Sequence, residues 1–162
     1  MTPIVRLTQS LFVAYIGVFG LLVAFGNLTD YGTNFAFVQH VMSMDTIFPD
    51  SRLRYRAITS PALHHAVYAA IILGEAATGL LCSAGALRLL RRLKSDAAAF
   101  HAAKSLAVLG LGAGFTVWCL GFIVIGGEWF AMWQSAQWNG QAAASRFVLC
   151  IGVALLLLVH KE

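Results

Sequence analysis

The apolar run from Val67 to Leu90 constrains this chain more than any other stretch, because Glu75 sits in its middle. A carboxylate there must be paired, neutral or wet, and an ionisable group inside a membrane span is rare, costly and a functional-site hypothesis by default. Composition agrees with a span. The chain is 59% hydrophobic and 11% charged, whereas a soluble domain carries about 25% charged residues. Its length of 162 residues suits one domain, 1–162.

Four spans are expected, over about 7–27, 62–90, 102–127 and 142–160. The first follows Arg6 and ends at Asn27. It exceeds the roughly 7–15 residues of a signal core and approaches the roughly 20 a span needs, so a retained helix is expected. Gly17, Gly20 and Ala24 share one of its faces. The second starts after Pro61, a favourable residue at a helix start, and stops at Arg91-Arg92; Ala66, Ala70, Gly74 and Thr78 form a small-residue stripe beside Glu75. The third carries Gly110, Gly114, Trp118 and Gly121 on one face. Such stripes let helices approach closely, and packing within one bundle is their simplest use. The fourth has only thirteen continuous apolar residues, Phe147 to Val159, or roughly 20 Å of helix. A hydrocarbon core about 30 Å thick obliges it to recruit Ala142 to Arg146, with Arg146 snorkelling to the edge.

Charge sets the orientation. The formal charge is +4, but the basic residues flank apolar runs, and no basic stripe with interleaved aromatics points to nucleic acid. Arg88, Arg91, Arg92, Lys94 and Lys104 surround the second connection, and Arg6 and Lys161 fall on the same side for an even number of spans. Arg52, Arg54, Arg56 and Arg146 fall on the other. The excess of basic residues predicts that both termini are cytoplasmic. Cys82, Cys119 and Cys150 stand alone in apolar runs without a CxxC, which argues against disulfide, zinc or thiol chemistry.

The two outer connections carry structure of their own. In Leu28 to Ser60, Asn34 is the expected N-cap of a short amphipathic helix with Phe35, Val38, Val41 and Met42 at helical spacing. Such a helix lies in the headgroup region. Arg52 and Arg56 are placed to pair with Asp45 or Asp50. In Gly126 to Asn139, Trp129 and Trp133 are one helical turn apart and Trp138 follows, as in an interfacial aromatic belt. Asp30, Asn34, His40, Asp45, Arg56, Glu128, Trp129, Trp133 and Trp138 make up the expected interaction surface.

Two constellations bear on chemistry. Counting from the ends of their runs, Glu75 lies roughly 12 Å deep and Arg146 about 7 Å deep, so a buried Glu75–Arg146 pair is expected. The competing arrangement is a neutral Glu75 hydrogen-bonded to Thr78, Ser83 or a neighbouring helix. His40, His64 and His65 gather on one side, a weak metal alternative. His64 and His65 are adjacent, however, and point about 100° apart on a helix. No GxSxG elbow, HExxH or phosphate-binding loop is present, so neither catalytic residues nor a cofactor are expected.

The stretches Asn27-Leu28-Thr29-Asp30-Tyr31-Gly32, Phe37-Val38-Gln39-His40-Val41, Ser43-Met44-Asp45-Thr46 and Arg56-Ala57-Ile58, with Gly126 to Ser135 and Trp138-Asn139-Gly140, resemble the outer loops of the bacterial predicted small integral membrane proteins, a domain-of-unknown-function family. The resemblance covers nearly the whole chain and implies a small multi-span protein of the bacterial inner (cytoplasmic) membrane. It brings no established activity. The expected fold is an all-α four-span membrane bundle with a structured first outer loop. The expected role is a non-enzymatic accessory, assembly or interaction subunit, with the lipid bilayer and a membrane-protein partner or a second copy as its contacts. A small transporter, channel or proton-coupled sensor using Glu75 and a haem or quinone redox protein stay open as alternatives.

Overall fold

A computed structural model describes residues 3–160; Lys161, counted above for orientation, lies outside them. Helix α1 is Pro3–Thr29, α2 Tyr31–Ser43, α3 Pro61–Arg91, α4 Ala97–Ala102, α5 Ser105–Phe115 and α6 Gln141–Val159. A widened helix of π type, Thr116–Trp129, continues α5. Short 3₁₀ turns occupy Arg54–Arg56 and Met132–Gln134. Four stretches are long and apolar enough to cross a membrane: Pro3–Thr29, Pro61–Arg91, Ala97–Trp129 and Gln141–Val159. Helices satisfy their own backbone in hydrocarbon, which is why such runs fold this way. No strand occurs among the described residues.

Glycine sets how closely the spans pack. A Cβ added to Gly20 of α1 would lie 2.8 Å from the Gly79 nitrogen and 3.0 Å from the Glu75 carbonyl of α3. One added to Gly110 of α5 would lie 2.7 Å from the Cys82 nitrogen. Only hydrogen fits at such backbone contacts, so the stripes on α1 and α5 are consumed inside one bundle. The stripe expected on α3 is used only in part. Gly74 faces Val117 and Thr78 faces Gly114, but Ala66 and Ala70 are exposed. The α3 positions that meet α1 are instead Glu75, Gly79 and Ser83.

The third span begins five residues before the expected 102 and is jointed at Ala103-Lys104. Asp96 caps α4 by accepting from the Ala99 N–H at 2.8 Å. At the far end, the Phe130 N–H donates to Ile125 O, five residues back, at 3.0 Å. π turns of this kind are commonly single bulges and often mark functional positions; here the widening runs through the half of the span that meets the first connection.

Two cores result. One, built from residues such as Val13, Cys82, Leu111, Trp118 and Ile151, fills the bundle. The other, with Val38, Met42, Met44, Ile47, Tyr68, Phe130 and Met132, joins α2 and both outer connections to the first turns of α3. We refer to this second unit as the cap.

Candidate functional site

The buried acid sits where bundle and cap meet. Glu75 is 2% exposed, and its Oε2 accepts from Asn27 Nδ2 at 2.7 Å. The Tyr68 hydroxyl donates to the Asn27 carbonyl at 3.0 Å and to its Oδ1 at 3.3 Å. Tyr68 and Glu75 are seven residues apart and share one face of α3, so a single amide from α1 bridges them. Beyond Tyr68 the network becomes aromatic. Tyr31 meets the Tyr68 ring edge-on at 4.7 Å and contacts His65 through its hydroxyl, 2.7 Å from Nδ1. Phe35 stacks on His65 at 4.1 Å.

The expected Glu75–Arg146 pair does not form. Arg146 is exposed on α6, and Glu75 turns to Asn27 instead. Helix neighbours explain the difference. Gly20 packs against Gly79 and Asn27 binds Glu75, so Glu75 is level with the last turn of α1. Helix α3 packs chiefly on α1 and α5, so the carboxylate meets α1, while Arg146 faces outward from α6.

The outer connections interlock. Thr46 Oγ1 and Ser135 Oγ are 2.8 Å apart. His40 Nδ1 meets Asp45 Oδ2 at 2.7 Å, and the His40 ring stacks on Trp138 at 4.5 Å. Phe48 meets Trp133 edge-on at 5.9 Å. Asp45 therefore serves His40. Arg56 pairs with neither Asp45 nor Asp50: its Nη1 donates to the Glu128 and Trp129 carbonyls at 3.4 Å, and the guanidinium lies 5.0 Å over the Trp129 ring. Arg54 donates to the Met44, Ile47 and Phe48 carbonyls.

Other expected roles change. Asn34 is not a cap. Helix α2 begins at Tyr31 with Asp30 before it, and Asn34 lies in its first turn, donating to the Asp30 carbonyl at 3.1 Å. Trp129 and Trp133 do not share a helical turn, because Ala131 takes a left-handed φ of 51° between them. The histidines part company as well. His64 is buried and its Nε2 donates to Ile58 O at 2.7 Å, His65 contacts Tyr31 and His40 contacts Asp45. Among the described residues no group of three His, Cys, Asp or Glu side chains converges as a metal site would.

Sequence reasoning missed Asn27 as the partner of Glu75 and Tyr68 as the partner of Asn27; by sequence Asn27 reads as the end of a span. It also missed the polar contacts at the opposite end of the bundle. Arg6 is nearly buried and donates to the Leu93 and Ser95 carbonyls at 3.1 and 2.6 Å, with its guanidinium 4.8 Å over Phe100. Lys104 donates to the His160 carbonyl at 3.0 Å. Gln9 reaches the Leu157 carbonyl at 2.8 Å. An amide or a cation in an apolar run signals such a contact, though not its partner.

No curated protein and no solved structure matches the chain. The family model described as predicted small integral membrane protein, a domain of unknown function, matches residues 5–161, and the chain belongs to that family.

Proposed function

We propose that this protein is a non-catalytic interaction subunit of a bacterial inner-membrane complex, with both termini cytoplasmic and the cap presented on the far side. The observation that carries this reading is the cap itself. Two connections are locked together by Thr46–Ser135, His40–Trp138 and Arg56–Trp129, yet they leave large aromatics outward: Tyr55 is 77% exposed, Trp129 52%, Phe48 49% and Trp133 48%. Binding energy at interfaces concentrates in such side chains, and a surface held rigid in advance loses little entropy on association. Affinity purification in mild detergent tests it. A membrane protein recovered at fixed stoichiometry, and lost with Phe48→Ala plus Trp133→Ala while the fold persists, is the expected result. Recovery of only the free chain or a homo-oligomer overturns it.

A second reading is kept because of the Tyr68–Asn27–Glu75 chain, which continues toward the surface through the Tyr31–His65 contact. It makes Glu75 the switch of a proton-coupled transporter or sensor. Proteoliposomes with no proton-dependent flux, or with flux unchanged by Glu75→Gln, remove it.

A further inference from the structure

A groove of about 690 Å³ runs along the flank of the molecule where the cap joins the spans. Val67 of α3 and Val124 and Ile125 of the widened helix line its apolar part, and Arg56, Glu128 and Trp129 line it too. Glu128 and Trp129 are the last residues of that helix, so the polar group lies about a turn nearer the cap than the apolar wall. This is the level at which headgroups meet chains, and the exposed Trp129 indole suits it.

Two charges of opposite sign share the groove without pairing. Arg56 spends Nη1 on the Glu128 and Trp129 carbonyls and Nε on the Tyr55 hydroxyl at 3.2 Å. A guanidinium has five N–H donors, and Nη2 has no partner among the described residues. Glu128 is exposed and makes no ion pair among the described residues. A free guanidinium edge is suited to a phosphate. An exposed carboxylate is suited to an ammonium, and it would repel a purely anionic headgroup. The apolar wall below them is suited to an acyl chain.

From this we infer that the groove is a binding site for a phospholipid carrying a primary ammonium: phosphate on Arg56, amine on Glu128, one chain along Val67, Val124 and Ile125. The site lies on the flank of the cap and does not depend on a protein partner above it.

Native mass spectrometry of the full chain tests the inference, after delipidation and reconstitution into nanodiscs of equimolar phosphatidylethanolamine, phosphatidylcholine and phosphatidylglycerol. The expected result is one retained ethanolamine lipid. Arg56→Gln lowers its occupancy about tenfold or more, as losing a charge-assisted hydrogen bond does. Glu128→Gln keeps a lipid but loses the preference over the choline headgroup. Val67→Trp, at a half-exposed position outside the Arg56 contacts, empties the groove without changing the melting temperature. Should Arg56→Gln fail to fold, the other two variants decide. No retained lipid, equal retention of all three headgroups by the wild type, headgroup preference unchanged in Glu128→Gln, occupancy unchanged in Val67→Trp, or a polypeptide cross-linked from position 125 in place of lipid would each overturn the proposal.

Discussion

The bundle and the cap are held together by opposite means. Spans meet backbone to backbone at Gly20–Gly79 and Gly110–Cys82, with few polar links. The cap has methionines and aromatics in its core and side-chain hydrogen bonds across its loops. Lipid is as apolar as leucine, so spans gain little from burying large side chains and much from close van der Waals contact. The cap faces water and headgroups, where burying Met44 and Met132 is directly favourable and loop backbone needs partners. Glycines decide one region, and locked loops the other.

The contrast breaks most readily at a glycine contact. Gly20→Leu puts a branched side chain against the α3 backbone, and destabilisation at or beyond the upper end of the usual ~1–3 kcal/mol for overpacking is expected, read as loss of monodisperse protein in detergent. The paired control is Gly152→Ala on α6. A Cβ there meets nothing within 4 Å, and alanine in place of a helical glycine raises stability by roughly 0.5–1 kcal/mol. Equal behaviour of the two variants would refute glycine-set packing.

At the junction of the two regions, Asn27→Leu strands the Glu75 carboxylate, while the Tyr68 hydroxyl keeps the residue-27 backbone carbonyl. A loss of about 1–3 kcal/mol or more is expected in thermal melts. Adding Glu75→Leu should return most of it, because the group left unsatisfied is then gone; an uncoupled, additive double mutant would show that the pair carries nothing. Within the cap, Ser135→Ala removes the Thr46 link and the acceptor of the Trp138 N–H, at a cost of about 1–2 kcal/mol. Faster hydrogen exchange confined to residues 44–60 and 130–139 is the expected signature, and uniform acceleration through the spans would deny the cap its independence. The smallest effect belongs to Asp45→Asn. An exposed pair with His40 contributes about 0.2–1 kcal/mol, and a larger loss would mean that the pair anchors Trp138 as well.

How far the sequence carried depended on whether a feature was periodic or paired. The spans were legible because hydrophobic runs of that length have one stable arrangement in lipid, and their predicted ends lie within about five residues of the observed ones. Helix α2 was legible from Phe35, Val38, Val41 and Met42, of which Val38, Val41 and Met42 are buried. Its start was not, because Asp30 alone separates it from α1. Glu75 announced itself by its surroundings. Its partner did not, since Asn27 and Arg146 were both polar residues near the end of a run and only the packing of α3 on α1 distinguishes them. Arg56 was singled out for ion pairing, yet it serves the Glu128 and Trp129 carbonyls, which the end of the helix at Trp129 leaves without intrahelical partners.

Composition and the lengths of the apolar runs alone determined that this chain crosses a membrane four times as helices, because an unpaired backbone in hydrocarbon is too costly for any other solution. The tertiary structure decided that α3 packs on α1, so that Glu75 meets Asn27 at the foot of the cap and Arg146 is left facing outward. Helix pairings follow from which glycines can touch which backbones, a relation between two segments that neither segment encodes by itself.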